Sequence, residues 1–339
     1  MLWIFRFMNI DQVYLARQMK QYFKLLVKYS TATKILNVIQ CEYALFRKKP
    51  LLNSMPYIAK LEPTNICNID CAFCYRKQVK YGFGSASFED FKRMFDPLRR
   101  YLCGAILHHL GEPLLNKDIC KIISYVHRNK VATYVSTNLN YLTDTLAANL
   151  VKSGLDVLSV SVDGITPEVY SKYRKGGDFS ILMQNLKKIV EQKKKLKSKT
   201  PFIDLQFIIF KYNEHQIEGV KKLAREIGVD SLKLRPGIVD DADWLPENKK
   251  LRSKLYVNRR CNKKACWWLW RTTHITWNGY VLPCCRVLCN KPFGNVFKED
   301  FRKIWNNEYF VKARKCFSSD AKIDSQCYSC EIPYGNIHG

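Results

Sequence analysis

The sequence from residue 62 to residue 75 is Glu-Pro-Thr-Asn-Ile-Cys-Asn-Ile-Asp-Cys-Ala-Phe-Cys-Tyr. It places Cys67, Cys71 and Cys74 at Cys-x3-Cys-x2-Cys spacing, directly after an apolar run at 57–61 that predicts a strand. Three thiolates on one short loop can bind three irons of a cubane cluster and leave the fourth iron open to another ligand. A zinc knuckle that lacks one ligand is the alternative.

From this loop onward, short apolar runs alternate with amphipathic helices. We predict strands at 57–61, 105–110, 133–136, 157–162, 203–210 and 232–234, and helices at 88–102, 118–129, 143–152, 181–196 and 215–227. Regular alternation implies parallel strands joined by right-handed crossovers. The predicted fold class is therefore α/β. It comprises a basic amphipathic helical segment at 1–55, a partial (β/α)6 TIM-like barrel at 56–240, and a small cysteine-rich module at 241–339.

Composition excludes several classes of protein. The chain has 339 residues, 47% of them apolar, so it can bury a core and is neither disordered nor a disulfide-stapled miniprotein. We find no signal peptide at the start and no apolar stretch long enough to span a membrane. We therefore expect a cytoplasmic protein, in which clustered members of its 14 cysteines bind metal rather than form disulfides.

The first cysteine loop resembles the signature loop of the radical S-adenosylmethionine (SAM) enzymes, including the aromatic Phe73 before the last cysteine. Further matches follow at the ends of successive predicted strands, where barrel active sites lie. Gly111-Glu112 resembles the family's Gly-Gly-Glu motif, with Leu110 in place of the first glycine. The resemblance implies that SAM is bound by Gly111, Glu112, Ser136, Asn138, Ser161 and Arg174, with Glu112 on its ammonium and Arg174 on its carboxylate.

The resemblance also implies a reaction. A [4Fe–4S] cluster on Cys67, Cys71 and Cys74 binds SAM through its open iron and, once reduced, cleaves it to methionine and a 5′-deoxyadenosyl radical. That radical abstracts a hydrogen atom from the substrate. An electron donor such as flavodoxin or ferredoxin is expected as a partner.

Four cysteines in the C-terminal module have meaningful spacing, and they are Cys266, Cys284, Cys327 and Cys330. They resemble the ligands of the SPASM domain and of its shortened "twitch" form, which hold auxiliary iron–sulfur clusters. A full SPASM domain has two further cysteines beyond the knuckle, and no cysteine follows Cys330 here. The resemblance therefore implies one auxiliary [4Fe–4S] cluster, with Cys261 as the substitute ligand. Structural zinc is the alternative for this set.

An auxiliary cluster near the substrate can accept an electron. We therefore predict the oxidation or rearrangement of a small or phosphorylated molecule, such as a sugar, a nucleotide or a lipid-linked compound. The rival within the same class is a radical SAM maturase that modifies a peptide or protein. The rival from another class is a zinc-stabilised protein that binds RNA or membranes.

The first 55 residues carry nine Lys and Arg residues but only two acids, Asp11 and Glu42. Their amphipathic pattern predicts either packing against the open edge of the barrel or, through residues 1–20, peripheral contact with the inner face of a membrane. The formal charge of +26 also suits an anionic substrate. Nucleic acid ranks last as a partner, because we find no recognised RNA- or DNA-binding module.

Overall fold

The structure is a computed structural model that describes residues 12–239, 241–252, 266–284, 291–317, 325 and 327. Six strands, β1 to β6, pair in parallel and in chain order. They are β1 (Ile58–Leu61), β2 (Gly104–Ile106), β3 (Ala132–Thr137), β4 (Val157–Ser161), β5 (Phe202–Ile209) and β6 (Ser231–Pro236). The predicted α/β fold with a partial barrel is confirmed.

Helices connect these strands, preceded in the chain by α1 (Gln12–Tyr29) and α2 (Ala32–Phe46). The connecting helices are α3 (Phe88–Phe95), α4 (Ile119–Arg128), α5 (Asp144–Lys152), α6 (Pro167–Tyr173), α7 (Phe179–Lys195) and α8 (Ile217–Ile227). The prediction that α3 extends to residue 102 is wrong. Pro97 lacks the N–H group that a continuing helix needs, so regular helix ends two residues before it.

The C-terminal module continues the barrel sheet. β7 (Thr272–Ile275) pairs in parallel with β1, and β8 (Tyr280–Leu282) and β9 (Gly294–Asn295) add antiparallel strands beyond it. The nine-stranded sheet has the order β6-β5-β4-β3-β2-β1-β7-β8-β9. The described residues of this part also form three short helices, namely α9 (Trp268–Arg271), α10 (Phe301–Trp305) and α11 (Glu308–Lys315).

Arg314 joins the C-terminal helices to the chain that leads into β1. Its side chain is fully buried and donates hydrogen bonds to the carbonyl oxygens of Leu269 (3.0 Å), Pro50 (3.1 Å) and Trp305 (2.9 Å). Burial lowers the pKa of its guanidinium to about 9. Because three backbone segments share one buried donor group, they are held in a fixed arrangement.

α1 covers the amino ends of the barrel strands. Tyr22, Leu25 and Tyr29 of α1 form a buried cluster with Val157 at the start of β4. Further along the same face, the Gln18 side chain donates to Asp204 Oδ1 (3.3 Å), near the start of β5. The N-terminal segment thus packs against the end of the barrel that is opposite to the carboxyl ends of the strands.

A buried ion pair lies beneath α1. Lys233 of β6 pairs with Asp204 of β5, and both side chains are fully buried. The Lys233 ammonium also donates to the Tyr22 hydroxyl (2.9 Å), which ties the pair to α1. Such a pair is costly to break from one side, because the remaining charge has no solvent to stabilise it.

We predict that Asp204→Ala lowers the free energy of unfolding by about 3–5 kcal/mol, because Lys233 then becomes an uncompensated buried charge. The double variant Asp204→Ala/Lys233→Met replaces the pair with apolar side chains and should recover most of this loss. Guanidinium denaturation followed by circular dichroism under anaerobic conditions measures both effects. The single variants Asp204→Ala and Lys233→Met are measured separately as well. If their losses in free energy of unfolding add up to the loss in the double variant, the prediction is wrong.

Candidate active site

The three cysteines of the first loop lie just beyond the carboxyl end of β1. The loop is fixed to the segment around the end of α6 by two backbone hydrogen bonds, from Asp70 N to Lys175 O (2.7 Å) and from Ala72 N to Tyr173 O (2.9 Å). Within the loop, Cys74 N donates to Cys71 O (3.2 Å). The backbone thereby holds the thiols at the barrel edge where the sequence predicted them.

The Gly111-Glu112 turn docks directly on this loop. Glu112 N donates to Ile66 O (2.8 Å), and a Cβ atom at residue 111 would lie 2.4 Å from Thr64 O and 2.7 Å from Asn65 Cα. Only glycine fits this contact between two backbones. The position therefore demands glycine for steric reasons, independently of any role in cofactor binding.

The Glu112 carboxylate joins the ends of β2 and β3. It accepts hydrogen bonds from the Thr137 hydroxyl (2.7 Å), from Asn138 N (2.7 Å) and from Leu114 N (3.1 Å). Burial raises the pKa of Glu112, and these donors oppose that shift. Its orientation is fixed, so it can serve as a positioned anion at the carboxyl ends of the strands.

Arg174 lies between a carboxylate and a thiol. Its Nε donates to Asp163 Oδ2 (2.6 Å), and its Nη1 lies 3.3 Å from the Cys71 sulfur. Burial raises the pKa of the Cys71 thiol, and the Arg174 charge lowers it, which favours the thiolate that iron requires. The sequence predicted Arg174 as a SAM contact and gave Asp163, two residues beyond the end of β4, no separate role.

All nine residues predicted for the first site line one pocket. Asn138 Nδ2 lies 3.6 Å from the Cys67 sulfur, and Ser136 N donates to His108 Nδ1 (3.1 Å). The predicted members of this lining are Cys67, Cys71, Cys74, Gly111, Glu112, Ser136, Asn138, Ser161 and Arg174. The structure therefore brings them together, although their roles toward a cofactor stay predictions.

The three thiols of the first loop have the chemistry of ligands for a cubane cluster. Among the described residues, no three His, Cys, Asp or Glu side chains converge at the spacing of a single-ion site. In a cubane cluster each thiolate binds a different iron, so the sulfurs surround a volume instead of a point. The donors on Cys67 and Cys71 are of the kind that tunes such clusters.

The C-terminal cysteines also gather. Burial raises the pKa of the Cys266 thiol far above its usual value, and the neighbouring thiols Cys284 and Cys327 raise it further. Cys266 precedes α9, and Cys284 follows β8. The other two predicted or substitute ligands, Cys330 and Cys261, lie outside the described residues.

Histidines that the sequence reasoning did not single out lie between the two cysteine groups. His108 and His109 line the first pocket, and the ring of His109 is 4.0 Å from that of His274 on β7. Burial, and then Lys60 of β1, lowers the pKa of His274 to about 3, and the pKa of His108 is lowered well below its usual range for the same reasons. These rings are therefore neutral acceptors and donors at physiological pH.

An aromatic cluster supports the third cysteine. Phe73 packs edge-on against Trp244 (4.9 Å between ring centroids), and Trp244 contacts Phe210 (5.4 Å) and Tyr212 (5.0 Å). Phe210, directly after β5, lies in this cluster. Trp244 was not anticipated, because it follows β6 in an irregular segment with no repeating pattern.

Comparison with known protein families agrees with this geometry. Residues 61–224 match the radical SAM superfamily, and residues 266–331 match the SPASM family, an iron–sulfur cluster-binding domain. The chain is a radical SAM enzyme with a SPASM domain. Its cofactors are therefore a [4Fe–4S] cluster, SAM and auxiliary iron–sulfur, as predicted.

Individual relatives of this radical SAM enzyme are distant. It is 23% identical to the tungsten-containing aldehyde ferredoxin oxidoreductase cofactor-modifying protein of Pyrococcus furiosus, over 80% of this chain and 86% of that protein. It is 26% identical to a probable GTP 3′,8-cyclase of Methanocaldococcus jannaschii, over 58% of this chain and 62% of that protein. The fold is similar to that of Streptococcus suis SuiB bound to S-adenosylmethionine, with a TM-score of 0.65, 18% identity and coverage of 86% of this chain and 75% of SuiB.

A buried carboxyl group joins the radical SAM and SPASM parts. Glu62 follows β1 and accepts hydrogen bonds from Trp277 N (3.3 Å) after β7 and from the Tyr81 hydroxyl (3.3 Å). Burial raises the pKa of Glu62 to about 7, against the influence of these donors. Between its usual pKa and 7 the folded protein holds a proton that the unfolded chain releases, so this group stabilises the fold less as pH rises.

We predict that Glu62→Gln becomes progressively more favourable to stability than glutamate as pH rises from about 5 to about 8. The difference in free energy of unfolding between variant and wild type should shift by on the order of 3 kcal/mol across this window. Denaturation at a series of pH values measures it, and Glu89→Gln, at an exposed carboxylate of α3, is the control. The prediction is wrong if the difference in free energy of unfolding between Glu62→Gln and the wild type changes no more with pH than the same difference for Glu89→Gln.

Proposed function

We propose that this radical SAM enzyme oxidises or rearranges a small anionic molecule, such as a phosphorylated sugar or nucleotide, with the help of one auxiliary cluster. The observation that carries the proposal is the close pair of rings His109 and His274, 4.0 Å apart, together with Lys60, whose charge acts on both. When bound, the reduced cluster and SAM supply a 5′-deoxyadenosyl radical that takes a hydrogen atom from the substrate.

The first pocket is proposed to hold that cofactor pair. Cys67, Cys71 and Cys74 supply three thiolates, and Asn138 and Arg174 donate toward two of them. Glu112 offers a fixed carboxylate for the SAM ammonium. We assign Gly111, Ser136, Asn138, Ser161 and Arg174 to the remaining SAM contacts, on the basis that they line the same pocket.

The auxiliary site is proposed to use Cys266, Cys284, Cys327 and Cys330. The mutual influence of the first three thiols supports their grouping, and Cys330 follows Cys327 by three residues. Four protein thiolates leave no iron open, so this cluster suits electron transfer and not the binding of SAM. We propose a division into an N-terminal segment (1–55), a radical SAM core (56–240) and a SPASM-like part (241–339).

The character of the barrel interior supports an anionic substrate. The Lys60 ammonium makes no hydrogen bond or ion pair with any described residue, and its charge acts on the neighbouring histidines. Nε2 of His109 has no hydrogen-bond partner among the residues that the structure describes. A phosphate or carboxylate of the substrate would accept a hydrogen bond from an imidazole N–H and pair with the Lys60 ammonium.

Peptide maturation is the second candidate. SuiB, whose fold is similar, has been solved with its precursor peptide SuiA, at a TM-score of 0.64. For either reaction we propose a cytoplasmic enzyme reduced by flavodoxin or ferredoxin. The two candidates differ in which added compound loses a hydrogen atom to the 5′-deoxyadenosyl group.

We predict that Cys71→Ala abolishes 5′-deoxyadenosine formation by the dithionite-reduced protein, because the SAM-binding cluster is lost. Cys266→Ala should lose about half of the bound iron yet still form 5′-deoxyadenosine, because it removes only the auxiliary cluster. Liquid chromatography of the nucleoside and iron analysis measure the two effects. Cys120→Ala, on α4, is the control and should resemble the wild type. Full 5′-deoxyadenosine yield from Cys71→Ala would refute the assignment.

We predict that deuterium enters 5′-deoxyadenosine from a phosphorylated or carboxylated compound in a panel of deuterated candidates, and not from its neutral counterpart. Lys60→Gln should raise the KM for that compound by roughly tenfold to a hundredfold, since a charged hydrogen bond contributes about 1.5–3 kcal/mol. Lys60→Arg should restore part of the affinity, and Lys172→Gln on α6 is the control. Transfer from a peptide with no sensitivity to Lys60 would favour the maturase instead.

A further inference from the structure

The two N-terminal helices expose an unusual number of large apolar side chains. We call this set the α1–α2 apolar surface, and it consists of Met19, Phe23, Val27, Ile35, Leu36, Ile39, Tyr43 and Phe46. Phe46 is 82% exposed and Phe23 is 61% exposed, so these side chains project into solvent instead of lining a groove. Large apolar side chains exposed together on neighbouring helices are typical of a surface that binds a partner.

The orientation of this surface is fixed by what the same helices bury. α1 turns Tyr22, Leu25 and Tyr29 toward the barrel. On α2, the Asn37 side chain both donates to Met55 O and accepts from Met55 N, each at 2.8 Å. The exposed residues occupy the other positions of the two helices, so the barrel cannot cover them without releasing these contacts.

The surface lies away from the candidate active site. α1 and α2 contact the residues that begin the barrel strands, whereas the pocket of Cys67 and Glu112 lies where the strands end. An occupant of the α1–α2 apolar surface would therefore leave that pocket accessible.

The positive charge of the two helices indicates which kind of partner can cover the α1–α2 apolar surface. Residues 12–51 contain eight Lys and Arg residues and a single acid, Glu42. Glu42 is already engaged, because it pairs with Arg271 and accepts a hydrogen bond from the Tyr57 hydroxyl (2.8 Å). A twofold contact between two copies of this surface would oppose like charges, with no free acid to compensate them.

We propose that the α1–α2 apolar surface docks the enzyme on an anionic lipid bilayer. Helices with an apolar face bordered by Lys and Arg lie in the membrane interface, with apolar side chains among the acyl chains and cations at the headgroups. Lys20, Lys24 and Lys48 are exposed beside the apolar residues and supply such cations. Within the described residues, no helix is long and apolar enough to cross a bilayer, so the contact is peripheral.

The test is flotation of the full chain with phosphatidylcholine vesicles, with and without about one-third phosphatidylglycerol. We expect binding to the anionic vesicles that weakens as salt rises, because the Debye length shortens. Phe23→Ser/Ile39→Ser/Phe46→Ser and, separately, Lys20→Gln/Lys24→Gln/Lys48→Gln should each lower partitioning at least about tenfold, since one basic side chain near an anionic surface contributes on the order of fivefold.

Matched controls remove the same groups elsewhere. Ile181→Ser/Leu196→Ser/Tyr309→Ser removes three other exposed apolar residues, and Lys194→Gln/Lys195→Gln/Lys197→Gln removes three other exposed cations. Both controls should bind like the wild type, and every variant should retain 5′-deoxyadenosine formation. A chain that lacks residues 1–11 should still float.

Three results would overturn the proposal. The first is no flotation, or equal flotation with neutral and anionic vesicles. The second is loss of flotation on removal of residues 1–11, with no effect of the two surface variants. The third is a wild-type dimer that the apolar variant converts to a monomer without any change in flotation, which would assign the surface to a second copy of the chain.

Discussion

The site depends on one close approach between two backbones, that of Gly111 to the cysteine loop. Because no side chain separates them, the end of β2 rests on the residues that precede Cys67. The next residue, Glu112, then reaches the end of β3 through Thr137 and Asn138. These contacts hold three strand ends together around the cysteine loop.

An ion pair between Asp163 and Arg174 fixes the remaining side of the pocket. Asp163 lies at the end of β4, accepts a hydrogen bond from Ile208 N (2.7 Å) and fixes Arg174, whose other nitrogen is directed at Cys71. The buried Asp163 carboxylate and the buried Arg174 guanidinium compensate each other's charge. The Arg174 charge also lowers the pKa of the Cys71 thiol, against the effect of burial. The same strand edge thus controls both the position and the protonation of a cluster ligand.

Sequence reasoning succeeded where the signal is local. The cysteine spacing, the Gly111-Glu112 pair and the polar strand ends each lie within a few residues, and parallel strands necessarily align their carboxyl ends. It failed where distant segments meet. His274 approaches His109 because β7 pairs with β1. The sequence pattern of neither strand indicates that they pair. The direction in which α1 faces likewise depends on a distant residue, Asp204 of β5, which Gln18 contacts. The end of α3 is an exception, because its signal, Pro97, is local and was overlooked.

The pairing of β7 with β1 has a consequence for how the chain is made. β1 leaves the ribosome more than 200 residues before β7, which corresponds to about 10–40 s at ordinary rates of synthesis. During that interval one edge of β1 has no neighbour, and an open edge is a template for aggregation. The cysteine loop follows that edge directly, so iron delivered before the C-terminal strands arrive would meet an unfinished sheet.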